Sequence, residues 1–225
     1  MDLAAEFARR GPWITQFVID GVATGGDYQV TDDRRVQQFL ERFPSVRTIL
    51  ELGSLEGGHT LTLARHEGVE RVLAVEARAG NIDRAKFIGS LLGVSNVQFK
   101  QANLEQLDLL SLGHFDAVYC CGLLYHLPEP WKLISQAPLV APSLFVWTVY
   151  ANENEATIEF DGLHGREYVE GGLNEPLSGL SPKSIWLTLP SLLELLKRSG
   201  YRNIEVLEKQ ENPNGPAVSL AASLS

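Results

Sequence analysis

The sequence predicts an α/β fold: a doubly wound, mostly parallel seven-stranded sheet with an antiparallel C-terminal hairpin. Three observations carry this. Short apolar runs alternate with helical patterns from residue 46 onward, which is how βαβ units read. A glycine-rich stretch, "ELGSLEGGH" (Glu51–His59), joins the first run to the first helix. The last two apolar stretches are joined by the turn-rich "QENPNG", which suits a hairpin and not another crossover.

Taken in order, "VRTILELG" (Val46–Gly53) reads as a buried parallel strand and "HTLTLARHEG" (His59–Gly68) as a helix stopped by glycine. "RVLAVEA" (Arg71–Ala77) is a second strand and "NIDRAKFIGSLLG" (Asn81–Gly93) a second helix. "NVQFKQAN" (Asn96–Asn103) alternates like a third strand, "FDAVYCCGLLYHL" (Phe115–Leu127) opens as a fourth, and "PSLFVWTVYA" (Pro142–Ala151) is a fifth. "LPSLLELLKRSGY" (Leu189–Tyr201) has proline near its start and glycine at its stop, as helices do. "RNIEVLEK" and "PAVSLAAS" complete the hairpin. Two regions stand outside this alternation. Residues 1–45 are expected to form an N-terminal helical cap, with short helical patterns around "IDGVATGGDYQV". Residues 152–186 are glycine-rich and polar, yet carry Phe160, Tyr168 and Trp186, which favours an ordered lid inserted into the 46–225 domain.

Composition narrows the function classes. With 44% hydrophobic and 21% charged residues, the chain can bury a sizeable core. A formal charge of −9 argues against a broad footprint for nucleic acid, because phosphate binding needs clustered Lys and Arg. The two cysteines, Cys120 and Cys121, are adjacent, so neither a disulfide framework nor zinc spacing can be built from them; a reducing cytoplasm is expected. "MDLAAEFARR" lacks the apolar core of a secretory signal, and no uncharged apolar run has the length of a membrane span. "FDGLH" is too short to support a metal site.

The spelling of the glycine loop separates three ligands. A dinucleotide needs a glycine at the third position, where the backbone approaches the pyrophosphate, and Leu55 stands there. A triphosphate loop needs a lysine that "GGHT" lacks. S-adenosylmethionine carries no phosphate. Its ammonium calls for an acid near the turn, and Glu51 is placed for it. Its ribose diol calls for a carboxylate at the end of the second strand, where Glu76 sits. Its adenine calls for an amide or acid after the third strand, where Asn103 sits.

From Val46 to the C-terminus the chain resembles the class I S-adenosylmethionine-dependent methyltransferases, which have a Rossmann-like sheet closed by an antiparallel strand. "ILELGSLEGGHT" resembles their first motif, with Glu51, Gly53 and Gly57 on its acid and outer glycines and Leu55 replacing the middle one. "VLAVEA" matches the second motif through Glu76, and "QANLEQL" the adenine-contacting one, with Asn103 where aspartate is commoner. "FDAVYCCGLLYHLPEP" is similar to the fourth. The resemblance implies further cofactor contacts at Ser54, Ala77, Leu104 and Cys121. Cys121 also reads as a small buried hydrophobe. His59 either packs at the start of the first helix or lines the methionine tail. "WITQFVIDGVATGG" and "GLLYHLPEP" look more narrowly like the subgroup of wobble-uridine tRNA carboxymethyltransferase-like proteins.

The function expected is methyl transfer to a hydroxyl or amine of a small-molecule or sugar acceptor. His126 is either its general base or a scaffold residue. Trp13, Tyr125, His164, Arg166 and Tyr168 are candidate acceptor contacts, the last three as a clamp on the lid. The alternatives are a tRNA-modifying methyl or carboxymethyl transferase, a nicotinamide oxidoreductase, and a cofactor-binding module without catalysis. Nothing in the sequence fixes an oligomeric state.

Overall fold

A computed structural model describes residues 1–30, 32–212 and 214–225. The chain forms two compact units, Met1–Asn103 and Leu104–Ser225. The seven-stranded, mostly parallel sheet predicted from the sequence is present, three strands coming from the first unit and four from the second.

In the first unit, α1 (Leu3–Arg10) starts where the Asp2 side chain accepts from the Ala5 amide at 3.1 Å. The "IDGVATGGDYQV" stretch is not helical. Val18–Ile19 and Val22–Ala23 form an antiparallel hairpin instead, and Tyr28–Gln29 lies parallel to Thr15–Gln16. Asp20 and Gly21 turn this hairpin with φ of 50° and 80°, the pair of positive angles that an Asp-Gly turn supplies. α2 (Arg34–Arg42) follows, its first turn capped by Asp33, which accepts from the Arg35 amide at 2.9 Å. Then come β1 (Thr48–Leu52), α3 (Gly58–Ala64), β2 (Arg71–Glu76), α4 (Ala79–Leu91) and β3 (Val97–Gln101). β2 pairs in parallel with β1 on one side and β3 on the other. Ile49, Leu50, Val72, Ala74 and Val75 are fully enclosed, because helices cover both faces of a parallel sheet. α3 stops at Ala64, short of the glycine at position 68 that the sequence pattern suggested.

The second unit opens with β4 (Ala117–Cys121), a 3₁₀ turn over Leu124–His126 and α5 (Pro130–Val140), whose first residue is a proline, where a missing N–H costs nothing. β5 (Ser143–Val149) pairs in parallel with β4. The insertion is ordered: β6 (Ile158–Phe160), β7 (Leu163–Val169) and β8 (Lys183–Leu187) form an antiparallel sheet in that order. α6 (Leu189–Arg198) leads to β9 (Asn203–Gln210) and β10 (Ala217–Ser223). β10 lies between β9 and β5, antiparallel to both, and is buried along nearly its whole length. Pro213, part of the "QENPNG" linker of the sequence, lies outside the described residues.

Candidate functional site

The glycine loop of the first unit runs from the end of β1 to the start of α3 and is tied to β2. The amides of Gly53 and Ser54 both donate to the Val75 carbonyl, at 2.9 and 3.2 Å. Gly57 has a φ of 79°, and a Cβ there would lie 2.7 Å from the Cβ of Ala85, so glycine is required twice over. Leu55, which stands where related loops have glycine, nevertheless adopts a φ of 50°. It keeps the left-handed backbone that a glycine would take, and its amide donates to Glu76 Oε2 at 2.9 Å.

Two acids flank this loop. Glu51 is 2% exposed and accepts a short hydrogen bond from Thr60 Oγ1. Burial pushes its carboxyl up to about 7, against the opposing pull of the Thr60 hydroxyl. Glu76 is also buried; besides Leu55 it accepts from the Arg78 amide at 2.8 Å and from Asn81 Nδ2 at 3.4 Å. Burial raises its carboxyl too, although these donors oppose the rise. The Ser54 hydroxyl is buried and has no partner among the described residues. Ala77 follows β2 half-buried, and Asn103 follows β3 half-buried.

Two sequence candidates of this unit are engaged elsewhere. His59 Nε2 lies 3.0 Å from Asp33 Oδ2, with the Tyr28 ring edge-on to the imidazole. Trp13 is 8% exposed; its indole N–H donates to the Phe7 carbonyl at 2.8 Å, and its ring packs edge-on against Phe7 and Phe17. The sequence reading missed Glu56. Its enclosed carboxylate accepts from the Ile14 and Thr15 amides at 3.0 and 2.7 Å and holds the N-terminal segment onto the loop. An acid inside a glycine turn that already has Glu51 beside it was the available signal.

In the second unit, Leu104 is buried, and Cys121 is a half-buried free thiol at the end of β4. Tyr125 and His126 stand on the 3₁₀ turn that follows. His126 Nδ1 is 3.1 and 3.2 Å from the two oxygens of Glu170, another residue the sequence reading did not single out. The Glu170 side chain is 1% exposed and also accepts from Ser178 Oγ at 2.6 Å, Ser184 Oγ at 2.6 Å and the Gly179 amide at 2.7 Å. Burial would raise its carboxyl; these donors and His126 outweigh it and hold it at about 2.

Strand alternation puts His164, Arg166 and Tyr168 on one face of β7. Pairing with β8 sets Trp186 opposite Arg166 and Ser184 opposite Tyr168. Tyr168 stacks on Trp186 with centroids 4.5 Å apart, the Arg166 guanidinium lies 4.6 Å from the same ring, and Tyr125 meets it edge-on. Arg166 Nε and Trp186 Nε1 are buried donors without a partner among the described residues. His164 is exposed further along the strand, opposite Glu159 of β6.

A family model described as "Methyltransferase domain" matches residues 49–138. The N-terminal domain of EvdMO1, solved in the presence of S-adenosylhomocysteine and D-fucose, is 35% identical, with a TM-score of 0.90 covering 99% of this chain and 97% of that one. The same domain with S-adenosylhomocysteine bound gives 32% and 0.88, covering 99% and 95%. The ubiquinone biosynthesis O-methyltransferase of Bordetella avium (strain 197N) is 28% identical over 124 residues, 55% of this chain. The chain spans about half the length of the curated relatives it matches.

Proposed function

Because the chain belongs to the class I S-adenosylmethionine-dependent methyltransferases, we propose that it methylates a hydroxyl of a small-molecule acceptor, with a sugar as the favoured class. The observation that carries this reading is the pair of buried acids beside the glycine loop. Both are held up in pKa by burial, and both are complemented by a ligand with a cationic amino-acid tail and a ribose diol. Ser54, whose buried hydroxyl has no partner among the described residues, adds a polar group that the tail can satisfy.

In this reading Glu51 takes the ammonium and Glu76 the ribose hydroxyls. Gly53, Ser54 and Gly57 let backbone approach the tail, Ala77 adjoins the ribose, and Asn103, Leu104 and Cys121 serve the adenine side. His59, held by Asp33, keeps the loop in shape. S-adenosylmethionine, when bound, supplies a methyl carbon activated by positive sulfur, the S–C electron pair staying on sulfur as the acceptor oxygen takes the carbon. The chain itself supplies alignment and exclusion of water. His126 removes the hydroxyl proton, and Arg166 and Tyr168 hold the acceptor. Residues 1–45 form an N-terminal cap, residues 152–186 form a lid on the acceptor, and the protein works in the cytoplasm.

The sugar preference is supported by the EvdMO1 domain, whose structure was solved in the presence of D-fucose, and oxygen as the nucleophile by the relatives named as O-methyltransferases. The tRNA-modifying subgroup finds no support among these relatives. Calorimetry should register S-adenosylhomocysteine far more tightly than NAD; comparable NAD binding removes the reading. A panel of deoxysugars and phenols, assayed for S-adenosylhomocysteine release, should then yield an acceptor. His126→Ala should lower its turnover about a hundredfold or more, with cofactor affinity kept.

A further inference from the structure

The second unit contains a buried, ionised carboxylate that the methyl transfer does not itself require. Among the described residues, the donors to Glu170 other than His126 come from the insertion: Ser178, Gly179 and Ser184. His126 comes from the turn after β4, 44 residues earlier in the chain. An ionised carboxylate only accepts hydrogen bonds, so the ring nitrogen facing it must carry the proton. That nitrogen is Nδ1, and the lone pair of the neutral ring is therefore on Nε2.

We propose that Glu170 is a positioning residue: it fixes His126 as the Nδ1–H tautomer and aims Nε2 at the acceptor hydroxyl. This rests on His126 acting as the base. The proton balance is simple. As the acceptor oxygen bonds to the methyl carbon and the S–C pair stays with sulfur, the hydroxyl proton goes to Nε2. The imidazolium so formed still donates from Nδ1 to Glu170, which stays ionised, and Nε2 later releases its proton to solvent.

Joining the insertion to the turn does not need this charge. The Ile185 amide already donates to the Leu127 carbonyl at 2.9 Å. Gly179 lies so close to the His126 carbonyl that a Cβ would come within 2.4 Å of its oxygen. A neutral amide at position 170 could complete such a join, whereas a buried charge is costly unless its partners are pre-arranged. Here two hydroxyls and an amide are pre-arranged around it, which leaves the imidazole as the group they orient.

Ring ¹⁵N shifts of histidine-labelled protein, with and without S-adenosylhomocysteine, test this without an acceptor. The His126 signals are assigned by their loss in His126→Ala. In the wild type, neutral His126 should carry its proton on Nδ1. In Glu170→Gln, the side-chain amide can donate to Nδ1, and the ring should move to the Nε2–H form. With a sugar acceptor from the panel, Glu170→Gln should lower kcat by about tenfold or more, while the acceptor KM and the S-adenosylhomocysteine Kd stay within about twofold. Ser184→Ala should give a smaller loss in kcat at unchanged KM. A wild-type ring protonated on Nε2 overturns the assignment even if neither Glu170→Gln nor Ser184→Ala folds. So does a Glu170→Gln protein that keeps both the Nδ1–H ring and wild-type turnover. Full turnover in His126→Ala would instead remove the base reading on which this inference stands.

Discussion

Glu51 is an acid held close to half-neutral at neutral pH, because burial pushes its carboxyl up to about 7 while the Thr60 hydroxyl pulls the other way. The sign of the linkage follows from the shift. A folded-state value above the ordinary 4.5 means that the ligand-free fold holds a proton which the unfolded chain has released. Glu51 therefore favours the fold at low pH, and that contribution is lost as pH rises through about 7. A cationic ligand needs the ionised form. S-adenosylhomocysteine affinity should accordingly rise as the pH climbs toward about 7 and level off above that value. Well below that value the rise approaches about tenfold per pH unit. Glu51→Gln should bind more weakly with a flatter profile. A flat calorimetric profile in the wild type would mean that the carboxylate faces no cation. The positions of Glu51 and Glu76 beside the loop were legible in the sequence because each lies at or next to the end of an apolar run, where a strand must stop and a loop begin. Glu170 was not, since its partner His126 lies 44 residues away and nothing periodic links a strand end to a distant turn.

The glycine loop behaves as one element with its neighbours on either side. β2 holds it through the Val75 carbonyl and Glu76, while Glu56 fastens it to the N-terminal segment through the Ile14 and Thr15 amides. Glu56→Ala leaves the buried Thr15 amide and the part-buried Ile14 amide without this acceptor and should lower the unfolding free energy by about 1–3 kcal/mol. Glu56→Gln keeps an acceptor oxygen and should cost less. Denaturant melts of both variants decide this, and an unchanged midpoint in the alanine variant would show that water replaces the carboxylate. The core strands and the loop itself could be read because apolar runs between glycines have one stable solution, a covered parallel strand. The N-terminal hairpin could not be read the same way. Its strands are only two residues long, too short for alternation to register, so Asp20-Gly21 was the one clue to a turn. Leu55 is the converse case, a residue whose identity argued against the turn that its backbone adopts.

At the scale of the molecule, the order of elements carried the fold: five crossover strands followed by a hairpin leave β10 no place except antiparallel beside β5. The acceptor was far less legible. "GLLYHLPEP" suggested tRNA-modifying proteins, but such a stretch reports how a turn is built, and the same turn can serve many acceptors. Charge is the better guide here. The chain has 28 acids against 19 Lys and Arg. Several of those cations already face acids of the chain itself, among them Arg34 with Glu41, Arg35 with Asp33, Lys183 with Glu167 and Arg198 with Glu194. A polyanion gains affinity by exchanging its counterions for protein cations, and each cation shared with a neighbouring carboxylate contributes less to that exchange. Bulk tRNA should therefore show no appreciable retention near physiological salt. Lowering the salt from about 200 to about 50 mM should raise retention only slightly, since few phosphates are neutralised. Filter binding across that range gives the slope directly. A steep fall of affinity with salt would reveal a cationic track on the surface and return the tRNA-modification reading to contention, even with a sugar acceptor in hand.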